Sequence, residues 1–154
     1  MPMRNVRGID VSFFTTSLRP LLLIPCLAAS GCLFETPSSS FADRADAEHS
    51  ELFHKGWLPE WIPPSAKRIR EKHDIDSNAT LIRFEFSPPD HPPFGKACVE
   101  TTHEALEFTW LDAYWWPTHD VLARMPHVYH CPLDSGYLAI PAEGGLAYFW
   151  RTRA

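Results

Sequence analysis

Apolar residues along the 154-residue chain form one unbroken run near the N-terminus and several short stretches of mixed polarity after residue 66. Alternation is clearest over residues 79–86. There Leu81, Arg83 and Glu85 interleave with Ile82, Phe84 and Phe86, the period-two signature of a half-buried strand. The preceding stretch, 67–75, is mixed. Its Lys, Arg and Glu residues favour helix, while Ile69 and Ile75, six apart, also fit alternate positions of a strand. Asp76-Ser77-Asn78 supplies a turn, so residues 67–74 and 80–86 are read as a hairpin. Lys67, Arg68, Arg70 and Lys72 would be its solvated face, or else a patch for phosphate or lipid headgroups. Residues 87–93 hold four prolines and are expected to be a loop. Residues 106–111 read as a strand, 112–116 as an aromatic corner, 117–125 as a short helix and 127–131 as extended chain. A turn at 141–145, with Gly144 and Gly145, separates strands at 137–140 and 146–151. The predicted fold is α+β: an antiparallel sheet of about five strands with one or two short helices.

The unbroken run covers residues 21–29 and follows a basic segment holding Arg4, Arg7 and Arg19 against Asp10. A basic stretch, a short apolar core and then small residues are the marks of a secretory signal. The run is too short for a bilayer, which needs about 20 apolar residues. Its end, Ala29-Ser30-Gly31-Cys32, resembles the bacterial lipobox, although Ala29 stands where Leu is commonest. That resemblance implies cleavage between Gly31 and Cys32 and diacylglyceryl transfer to the Cys32 thiol. Acyl chains contribute about 0.8 kcal/mol per buried methylene, so two or three of them hold a protein stably. Leu33 rather than Asp after the cysteine implies sorting to the outer membrane of a Gram-negative cell, facing the periplasm.

Three divisions follow: a signal peptide at 1–31, a lipidated cysteine with a flexible tether at 32–50, and a small globular domain at 51–154. The tether reading rests on the Ser, Ala and Asp content of 35–50; a short helix over 41–53 is the alternative. Charge narrows the partners. Without residues 1–31 the formal net charge moves from −5 to −7, which disfavours nucleic acid, whose phosphates require clustered cations. The membrane, through the lipid anchor, and an unidentified protein are the expected partners.

Two cysteines remain beyond the anchor, Cys98 and Cys131. In an oxidising compartment such a pair is expected to close, and a loop of this length contributes roughly 3–4 kcal/mol. A metal reading would group His127, His130 and Cys131 with His91, His103 or His119, but the spacing fits no standard zinc pattern. No metal or other cofactor is expected.

Gly56-Trp57-Leu58-Pro59-Glu60-Trp61-Ile62-Pro63 is the most distinctive local segment. Trp57 and Trp61, four apart, could form an exposed ledge for a partner, or could pin the segment to the core. Catalytic motifs fail on inspection. His103-Glu104 lacks the second histidine of a zinc-protease helix, Asp134-Ser135-Gly136 lacks a nucleophile elbow's flanking glycines, and no glycine-rich phosphate loop occurs. No catalytic residue is assigned. The 56–63 segment, with Ser65-Ala66, His73-Asp74-Ile75-Asp76-Ser77-Asn78 and Phe84-Glu85-Phe86, resembles small uncharacterised lipoproteins of Gram-negative bacteria over about a third of the chain. The resemblance implies an envelope location and no mechanism. The expected function is a non-enzymatic envelope binding or structural protein. An acidic immunity protein against a secreted toxin, or a metal or small-ligand carrier, are the alternatives.

Overall fold

The structure, a computed structural model, describes residues 36–87 and 96–152. The expected signal peptide, the Gly31–Cys32 cleavage site, the lipidated Cys32, Leu33, His91 and most of the proline-rich loop lie outside them. The described residues belong to one compact unit.

That unit is built on one sheet. Its strands are β1 (Ser38–Asp43), β2 (Lys67–His73), β3 (Thr80–Glu85), β4 (Val99–Glu100), β5 (His127–Cys131), β6 (Gly136–Ile140) and β7 (Leu146–Arg151). Every neighbouring pair is antiparallel, in the order β1-β2-β3-β7-β6-β5-β4. Among the described residues the α-helices are short: α1 (Arg44–Glu48) and α2 (His119–Leu122).

The sheet is covered on both faces. Ile69, Ile82, Phe84, Leu138, Ile140, Ala147 and Phe149 pack beneath Ala47, Phe53, Leu58, Ile62 and Ala66 from the segment between β1 and β2. On the opposite face Leu81, Val128, Tyr137, Ala139 and Trp150 pack beneath Leu106, Leu111, Leu122 and Met125 from the segment between β4 and β5. Double cover explains why all five residues of β6 are buried. Gly136 opens that strand where no larger residue fits. A Cβ there would lie 2.6 Å from both the Phe149 ring and the Trp150 carbonyl oxygen.

These observations overturn the expectation of an α+β fold with about five strands: the domain is mostly β, with seven strands and two small helices. The hairpin of β2 with β3 and that of β6 with β7 form where alternation and turn residues placed them. Two strands carry little apolar signal. β4 is a two-residue edge with both residues exposed. β1 is Ser38-Ser39-Ser40-Phe41-Ala42-Asp43, small and polar because an edge strand needs only one hydrogen-bonded neighbour.

β1 and α1 also replace most of the flexible tether expected over 32–50. Residues 38–43 pair with β2, and Asp43 caps α1 by accepting a hydrogen bond from the Asp46 amide at 2.9 Å. Asp46 reciprocates, accepting from the Ala42 amide at 2.9 Å. The strand expected at 106–111 is absent. That segment is irregular cover over the sheet, held by Trp150 Nε1–H donating to the Glu107 carbonyl at 2.7 Å and by Thr109 Oγ1 accepting from the Leu111 amide at 3.2 Å.

Cys98 and Cys131 meet at the β4–β5 edge, one position beyond the Val99–His130 pair. Both are buried and their sulfurs lie 2.04 Å apart, a disulfide-compatible pair.

Candidate functional site

Register places a polar row across one end of the sheet. His73 of β2 pairs with Thr80 of β3, Thr80 with Arg151 of β7, and Arg151 with Gly136 of β6. Directly paired residues share a face, so the three side chains line up, and Glu71, two residues before His73, joins them. Glu71 and His73 are 0% and 5% exposed. His73 Nδ1 lies 2.6 Å from Glu71 Oε1. The indole of Trp57 stacks on the His73 ring at 3.8 Å between centroids, nearly parallel.

Arg151 closes the network on the far side. Its Nε–H donates to the Asp134 carbonyl at 2.9 Å, and an Nη2–H to the Gly56 carbonyl at 3.0 Å. The Asp134 carboxylate is 3.6 Å from the guanidinium and also accepts from Trp61 Nε1–H at 2.7 Å. Burial pushes the Glu71 carboxyl above its ordinary value, against the opposing pull of His73 and Arg151. Burial likewise lowers Arg151, against Asp134 and Glu71. Glu71 Oε2 has no hydrogen-bond partner.

Three tight turns meet outside this network. Gly56, Asn78 and Ser135 all take left-handed backbone conformations, with φ of 73°, 57° and 50°. Asp74 shapes the second turn, accepting from the Ser77 amide at 2.8 Å and its hydroxyl at 2.6 Å, and the Ser77 hydroxyl holds the Asp74 carboxyl below its ordinary range. Together with Leu133, Asp134 and Arg151 these turns line an open cleft of about 400 Å³. Leu133 stands on the rim, 85% exposed.

Trp57 and Trp61 thus belong to the site, but as supports. Trp57 seals the Glu71–His73 pair. Trp61 packs edge-on against Phe149 at 5.3 Å while holding Asp134, so neither forms a shared ledge. The histidines considered for a metal are dispersed. His103 Nε2 sits 2.8 Å from the Met125 carbonyl oxygen, His119 stacks on Phe108, and His130 tilts against Tyr137. Among the described residues no three His, Cys, Asp or Glu side chains gather to hold a metal ion. None of their helices is long and apolar enough to cross a membrane.

Sequence reading missed Glu71, His73, Asp134 and Arg151 as one group, because only sheet register unites residues 80 positions apart.

Residues 35–85 match the family described as the YbbD head domain. The match takes in β1 to β3, the tryptophan segment, the Glu71–His73 pair, and Gly56 and Asn78 of the cleft. It covers about a third of the chain, and no curated protein or solved structure matches.

Proposed function

We propose that this chain is a bacterial envelope protein, lipid-anchored at Cys32, whose sheet domain is a non-enzymatic module that binds a protein partner at the cleft over Arg151. One observation carries the binding part of this reading. The cluster with the composition of a catalytic site is spent on architecture: His73 is sealed under Trp57, and Arg151 is committed to two backbone carbonyls. A proton-transfer group must reach substrate within hydrogen-bonding distance, and a stacked, buried imidazole does not. What faces solvent is one apolar residue, Leu133, beside the polar side chains of Asn78, Asp134 and Arg151, a mixed surface suited to recognition. The envelope part rests on the basic segment, apolar run and Ser30-Gly31-Cys32 ending, with the disulfide-compatible pair in support.

Each part has its own test. Labelled palmitate should enter the wild-type chain and not a Cys32→Ala variant, which should leave the membrane fraction; label without Cys32, or membrane retention after its loss, overturns the anchor. A photo-crosslinking residue at position 133 should capture a discrete species in intact cells, lost when Asp134 is replaced by Lys. The same species captured from position 121, on α2, would overturn the cleft assignment.

A further inference from the structure

The face of β2 and β3 opposite the polar network carries a second row. Ser40 of β1 pairs with Arg70 of β2, Arg70 with Arg83 of β3, and Arg83 with Tyr148 of β7. Two arginines are therefore directly paired on one face, a placement of like charges that destabilises a sheet. No described hydrogen-bond acceptor reaches Arg70; its guanidinium instead lies 5.6 Å from the centroid of Tyr114, itself 92% exposed. Arg83 comes no nearer than 3.7 Å to Glu85, whose carboxylate is already bonded by Arg68 Nε at 2.8 Å. Ser40, Arg68, Arg70 and Arg83, with Phe41 and Ile69, line a surface hollow of about 210 Å³.

The distribution of charge sharpens this. β2 and β3 carry Lys67, Arg68, Arg70, Lys72 and Arg83, five of the eleven Lys and Arg residues that follow Cys32. They hold two of the eighteen Asp and Glu residues, Glu71 and Glu85, and Glu71 is on the other face. An otherwise acidic domain thus concentrates its cations on one side of one hairpin.

We infer that the Ser40–Arg70–Arg83 hollow binds the phosphate group of anionic lipid headgroups in the membrane to which the chain is tethered. Guanidinium groups and a hydroxyl are matched donors for phosphate oxygens. The inference rests on the lipid anchor at Cys32. Six residue steps separate that anchor from Ser38, a reach of at most about 20 Å, so the domain is never far from the bilayer surface. A net-negative domain on so short a leash is repelled by an anionic leaflet unless it turns a cationic face toward it. Tyr114, beside Arg70, is the kind of residue that settles at headgroup depth.

Arginine modification by phenylglyoxal, mapped by peptide, tests this on the full lipidated chain in vesicles. Adding phosphatidylglycerol to phosphatidylcholine vesicles should slow modification of Arg70 and Arg83 by about fivefold or more, and leave exposed Arg124 unchanged. Arg83→Gln should reduce the protection of Arg70. Equal rates in both vesicle types overturn the proposal. Protection by inorganic phosphate in pure phosphatidylcholine vesicles, with none added by phosphatidylglycerol, assigns the hollow to a free anion and overturns the headgroup. If Cys32 carries no lipid, the anchor reading has failed; unanchored chain mixed with the same two vesicle types then shows whether the hollow still prefers phosphatidylglycerol.

Discussion

The two faces of the β2–β3 hairpin handle charge in opposite ways, although residues of the two kinds alternate along the same strand. On the inner face Glu71 and His73 are buried against each other under an indole, and half-buried Arg151 is bonded to the two turns at Asp134 and Gly56. On the outer face Arg70 and Arg83 are half-buried and stand across from each other as a like-charged pair. The inner charges serve the fold because each is bonded to another part of it. The outer pair is held more loosely, Arg83 at 3.7 Å from Glu85 and Arg70 over the Tyr114 ring, which leaves guanidinium donors to offer. Position in the pleat, more than residue type, separates an architectural arginine from a receptive one.

Breaking the inner network should have the largest effect. Arg151→Met leaves Asp134 and Glu71 without their half-buried cation and frees the Gly56 turn; unfolding in urea should show a loss of about 2–4 kcal/mol. A loss below about 1 kcal/mol, no more than an exposed pair contributes, would erase the contrast between the faces. Next comes the bridge at the β4–β5 edge, where Cys131 pairs with Gly136, the neighbour of Arg151. Replacing Cys98 and Cys131 together by Ala should cost about 3 kcal/mol, and thiol titration of denatured, unreduced chain with Cys32→Ser should find no thiol on either; free thiols at both would sink it.

A third effect is one of sign. Burial raises the Glu71 carboxyl above its ordinary 4.5, so the folded chain holds that proton more tightly than the unfolded chain does. The contribution is complete below the ordinary value and is lost as pH rises through the raised one. The stability of wild type relative to Glu71→Gln should therefore fall as pH climbs above 4.5. Asp74 runs oppositely: its lowered carboxyl contributes above the ordinary range, a contribution lost as pH drops through the lowered value. The smallest effect belongs to the outer row. Arg70→Gln should leave stability unchanged or raise it by a few tenths of a kcal/mol, since it relieves a cross-strand repulsion. A clear destabilisation by calorimetry would show that Arg70 also serves the fold.

The hairpins were legible because each strand announces itself locally. Leu81 to Phe86 alternates and Asp76-Ser77-Asn78 turns; Gly144-Gly145 separates the last two strands. β1 was not legible, because three serines at an edge look like linker until a partner strand is known. Residues 106–111 misled for the converse reason, since Leu106 and Leu111 are buried as cover over a sheet face and not within the sheet. Of the site, the chain itself singles out Trp57 and Trp61. Their targets, His73 and Asp134, lie 16 and 73 residues away and look ordinary in sequence. Likewise Arg70 and Arg83 belong to different strands, and only their register makes them a pair.

Gly136 has a consequence for how this fold can vary. A methyl group there would meet a side chain, the Phe149 ring, and also a main-chain atom, the Trp150 carbonyl oxygen. A smaller residue at position 149 would relieve the first clash and leave the second, so no companion substitution rescues a larger residue at position 136 without parting β6 from β7. Among descendants that keep this sheet, position 136 is therefore expected to stay glycine whatever residue stands at 149.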